Sequence, residues 1–75
     1  MENYEDIKNI SRQLSELKKN IDQSKEQLFA MEMLLVDNNN GRPKDKRLAD
    51  DFQRLDHSFE SLMNNIKSLE NKLQN

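Results

Sequence analysis

Few side chains in this 75-residue chain are of types that do chemistry, and their spacing decides what each can do. His57 is the single histidine, with Asp56 beside it and Glu60 three residues on, a set able to hold a metal weakly at a surface. A di-iron helical site needs a Glu three residues before its histidine, and Arg54 stands there. Asp37-Asn38-Asn39-Asn40-Gly41 has the composition of an EF-hand loop, but counting from Asp37 puts Arg42 at the position that must be Gly. The same count puts Leu48 where a bidentate Glu is required, so calcium binding is excluded. Cysteine is absent, which removes disulfides and thiolate metal sites and leaves the redox compartment open. One glycine builds no phosphate-cradling loop, and the serines lack a base and an orienting partner at fixed spacing. Asn9-Ile10-Ser11 is formally a glycosylation sequon, but Ile10 falls in an apolar repeat that buries it. The expectation is a protein with no catalytic residue, no metal and no cofactor.

One charged cluster remains. Residues 38–47 contain Arg42, Lys44, Lys46 and Arg47 against Asp45, a net charge of +3. Those four cations are the candidate nucleic-acid contacts. No aromatic is interleaved with them to stack on bases, and the flanking segments are acidic, at -3 for residues 1–37 and -2 for residues 48–75. A solvated basic turn is therefore preferred over a nucleic-acid interface.

The elements that position these groups are written in a seven-residue repeat. The first track places Ile7, Leu14, Ile21, Leu28 and Leu35 at a, with Ile10, Leu17, Ser24 and Met31 at d. The second places Phe52, Phe59, Ile66 and Leu73 at a, with Leu48, Leu55, Leu62 and Leu69 at d. Alternating three and four spacing over several heptads predicts coiled-coil helices. Asn3 is placed to cap the first helix, with Glu5 and Asp6 favourable to its dipole. Asn38 to Gly41 tolerate the left-handed backbone at a helix end, and Pro43 suits the start of the next helix. The fold class predicted is all-α: one antiparallel coiled-coil hairpin over residues 1–75. Its helices should cover about 3–37 and 45–73, with the turn at 38–44.

A short connection favours antiparallel neighbours, and in such a pair a should face d. Setting Leu35 on Leu48 then brings Met31 to Phe52, Leu28 to Leu55, Ser24 to Phe59 and Ile21 to Leu62. Leu17 meets Ile66, Leu14 meets Leu69 and Ile10 meets Leu73, while Lys25 and Asp56 share an edge. A two-helix seam covers each side chain only in part, which falls short of the entropy of ordering two long helices. A second interface is expected, supplied most simply by self-association into a helical bundle. Phe29, Met33 and Val36 recur off the seam beside Met31 and Leu34, and these five residues are the expected partner-binding surface.

The acidic start, Met1 to Asp6, has no apolar core of a signal peptide. No apolar run approaches the roughly 18–20 residues that span a bilayer. A cytoplasmic location is expected. In length and hairpin shape the chain resembles the small helical co-chaperones of type III secretion needles and the Rop-like regulators of plasmid copy number. That likeness is architectural and carries over no residue. The expected function is a non-enzymatic protein–protein interaction module: an adaptor, co-chaperone or inhibitor that binds itself or a larger protein. The alternatives are a Rop-like nucleic-acid regulator acting through the basic tip, and a structural subunit of a heteromeric coiled coil.

Overall fold

The computed structural model describes residues 3–36 and 45–74. They form two helices, α1 (Tyr4–Leu35) and α2 (Lys46–Gln74), packed side by side as an all-α antiparallel hairpin. The molecule is a rod measuring 57 × 16 × 14 Å, little more than two helices wide.

Each helix begins where a side chain replaces the missing intrahelical acceptor. Asn3 is extended, at φ -95 and ψ 115, and its Oδ1 accepts the N–H of Glu5 at 2.9 Å. Glu5 and Asp6 then place negative charge on the positive end of the α1 dipole. At the start of α2 the cap is Asp45, whose Oδ1 accepts the N–H groups of Arg47 at 2.9 Å and Leu48 at 3.3 Å. Its carbonyl accepts the N–H of Ala49 at 3.0 Å, the first full helical bond. α1 stops because Val36 turns extended, its N–H reaching back to the Met33 carbonyl at 3.4 Å. The polar turn expected at 38–44 lies outside the described residues.

Two cross-helix contacts fix the register. Lys18 Nζ lies 2.9 Å and 3.0 Å from the two carboxylate oxygens of Glu70, and Asp56 stands close enough to Glu32 to raise its carboxyl. The two pairs are two heptads apart on both helices, so they report one continuous antiparallel alignment. This corrects the a-to-d pairing. With Glu32 against Asp56, Leu28 comes level with Phe59 rather than Leu55, and Leu35 with Phe52 rather than Leu48. The recess at this end is indeed lined by Leu35, Val36, Ala49 and Phe52 together. Lys25 and Asp56 are not opposed; Lys25 instead borders Glu60, Met63, Asn64 and Lys67.

The seam therefore runs along a and e, with a facing a. Its buried residues are Leu14, Ile21, Leu28 and Ile66, all at a. Ile10, Phe59, Met63 and Leu73 pack around Leu14, Ile21 and Ile66. The physical reason lies at e. Ser11 and Ala49 are small, Met63 is apolar, and Lys18 and Glu70 neutralise each other, while the half-buried Glu32 and Asp56 meet as two carboxyl groups. By apolar content alone the d flank, with leucine at every d position of α2, would have been chosen over e, which carries Lys18, Lys25, Glu32, Asp56 and Glu70.

Candidate functional site

Turning the seam toward e turns d away from it. Leu48, Leu55, Leu62 and Leu69 recur every seven residues along α2, and all four are between 42% and 48% exposed. The a residue Ile66, a single helical turn from Leu62 and Leu69, is 5% exposed. On α1, Leu17 and Met31 at d are half-exposed in the same way, and Leu34 at g is 75% exposed.

These two stripes share one side of the hairpin. In an antiparallel pair, reversing a helix and then rotating it to face its neighbour puts like-lettered flanks on the same side of the plane through both axes. The register set by Lys18–Glu70 and Glu32–Asp56 brings Leu17 level with Leu69, Ser24 with Leu62, and Met31 with Leu55. The result is an apolar face two helices wide and most of the rod long. A shallow open recess lined by Asn9, Ile10, Gln13, Leu14 and Leu17 continues it along α1.

The rims of this face are polar but largely uncharged. On α1 the g positions are Asp6, Gln13, Asn20, Gln27 and Leu34, and on α2 they are Asp51, Ser58, Asn65 and Lys72. Charge stands only toward the helix ends, at Asp6 on α1 and at Asp51 and Lys72 on α2. Rims of neutral amides and hydroxyls around an apolar centre desolvate at low cost, as in protein–protein interfaces, where charge is depleted at the core.

The five residues expected as a partner surface do not form one face. Met31 and Leu34 belong to the d and g side. Phe29 and Val36, at b, lie on the opposite flank. There Phe29 edges a recess with Asp22, Lys25 and Glu26, and Val36 is half-buried. Met33, at f, is half-exposed on the outer side. Of the candidate nucleic-acid contacts, Arg42 and Lys44 lie outside the described residues. Lys46 and Arg47 are exposed in the first turn of α2, Arg47 lying 3.7 Å from the Asp45 carboxylate.

The side chains able to do chemistry are dispersed. His57 is exposed at f, and the half-buried Asp56 turns from it toward Glu32. Loss of water, the hydrogen bond with Asp56 and the charge of Asp56 together raise the Glu32 carboxyl above its ordinary 4.5. Among the described residues no group of three His, Asp or Glu side chains is gathered closely enough to hold a metal. No described helix is long and apolar enough to cross a membrane.

The sequence did signal this d stripe. Leucine holds every d position of α2, and Ala49 and Met63 extend the apolar arc at two of its e positions. A stripe spanning a, d and e is too wide for one neighbour. No protein-family model, no curated protein and no solved structure matches the chain.

Proposed function

We propose that the protein is a non-enzymatic interaction module that works by burying the d face of its hairpin against another helical surface. The observation that carries this reading is the regular leucine stripe of α2, half-exposed along its whole length, while at the adjacent a positions Ile66 is buried and Phe52, Phe59 and Leu73 are partly buried. Scattered exposed leucines are ordinary on a protein surface. Four in line, level with Leu17 and Met31 on the neighbouring helix, form a contiguous patch of the kind that marks a docking site. Recognition would follow helix-in-groove physics: side chains at seven-residue spacing enter the holes of a facing helix, and the neutral rims exclude water around them.

Site-specific photo-cross-linking in the producing cell tests this. A photoreactive residue at position 55, 62 or 69 should give adducts with a polypeptide chain, and one at position 57 should give none. Absence of adducts at all three d positions overturns the reading.

A further inference from the structure

We propose that the occupant of this face is a second copy of the same chain, docked about a twofold axis that crosses the helices at the level of Ser24 and Leu62. The inference rests on the interaction-module reading and adds to it the partner and the geometry.

Size is the first argument. The whole hairpin measures 57 by 16 Å, and the d residues run along one long side of it, so a face of this length and width suits another rod of the same kind. One further hairpin of the same dimensions covers it fully. Such a covering is also what the hairpin lacks, since four residues supply its buried core.

Layer matching is the second argument. Ser24 and Leu62 lie level, with Leu17 and Leu69 one heptad to one side and Met31 and Leu55 one heptad to the other. A twofold axis through the middle layer sets that layer on its own copy. It also sets Leu17 and Leu69 over the second copy's Met31 and Leu55. Both outer d layers are then apolar on both sides, and in the middle layer Leu62 meets its own copy beside the small Ser24 at the axis.

Charge is the third argument, and it chooses the direction. About this axis Asp51 comes beside the second copy's Lys72, and Ser58 beside its Asn65. Asp51 gives one carboxylate oxygen, Oδ1, to Arg54 at 2.7 Å and is otherwise solvated, so its second oxygen is open to the lysine. The exposed Lys46 and Arg47 also come to the end where the second copy carries Glu5 and Asp6. Docking in the same direction would put Asp51 beside Leu34 and gather Lys46 and Arg47 of both copies at one end. Like charges would then meet at both ends of the bundle.

Sedimentation equilibrium and disulfide trapping on the full chain test the proposal. The wild type should sediment as a dimer of 8.9 kDa chains. Replacing Leu55 and Leu62 together by Gln should raise the dissociation constant by about 100-fold or more, and His57→Gln should leave it unchanged. Mild oxidation of Ser24→Cys should give a covalent dimer, because only the opposed twofold arrangement brings residue 24 to its own copy. A monomer from micromolar to millimolar concentration overturns the proposal, and so does a dimer in which Ser24→Cys does not cross-link. If the purified chain is monomeric while the d positions still give adducts with another polypeptide in the cell, the self-docking proposal fails and the interaction-module reading stands.

Discussion

The two apolar flanks of this hairpin are built from the same residue types on the same repeat, yet they meet opposite fates. Leu14, Ile21, Leu28 and Ile66 at a are buried, while Leu48, Leu55, Leu62 and Leu69 at d stay half in water. The difference teaches that a heptad track specifies a stripe, not a contact. One helix touches one neighbour along one line, and an arc spanning d, a and e needs two neighbours. The e flank wins the first neighbour because Lys18 finds Glu70 across it and small residues let the helices approach. The d flank is left for whatever comes second.

The sharpest way to break this comparison is to truncate one leucine from each flank. Leu28→Ala removes the most buried side chain of the seam and should cost about 2–5 kcal/mol in urea or thermal unfolding at every protein concentration. Leu62→Ala should be nearly silent below the concentration at which the chain associates and should cost up to a similar amount above it. Equal, concentration-independent losses would mean that d belongs to the hairpin's own core.

The polar edge of the seam gives the next largest effect. Glu70→Ala leaves Lys18 half-buried without its partner and should cost about 1 kcal/mol, a figure already reduced for partial solvent access. A double-mutant cycle with Lys18→Ala isolates the pair. Zero coupling would mean that the ion pair does not choose the flank.

A third variant probes the opposite side of the hairpin. Phe29→Gln should change self-association less than twofold in sedimentation, because its b position faces away from d. A loss as large as that of Leu62→Gln would move the docking surface to the b flank.

The smallest effect is a pH dependence. Burial and Asp56 raise the Glu32 carboxyl above 4.5 in the folded chain, so the folded state holds that proton more tightly than the unfolded state. The folded chain should therefore lose stability as pH rises from 4.5 through the raised value, and gain it as pH falls through the same window. Comparing wild type with Glu32→Gln in denaturant titrations at several pH values isolates this contribution, which the variant should lack.

Much of the architecture was legible before any coordinates. Unbroken seven-residue periodicity, a capping Asn3 and a polar break after Asp37 predict two helices, and the short break predicts that they run antiparallel. α1 and α2 have that form. The Asp45 cap was not read from the sequence, in which only the approximate start of the second helix was legible. The docking surface was legible only in part. Met31 and Leu34 lie on the open face, whereas Phe29, Met33 and Val36, grouped by their i, i+4, i+7 spacing, lie on the b and f side.

What the sequence by itself determined is periodic: where the helices run, which residues are apolar, and that the apolar arc is wider than one neighbour covers. What only the tertiary structure decided is which part of that arc each neighbour takes. A repeat of seven matches itself in several alignments, and by apolar content alone the pairing of a with d would have been chosen over the pairing of a with a. The choice falls to specific pairs across the seam, of which Lys18 with Glu70 is the clearest. Those pairs exist only once both helices are side by side.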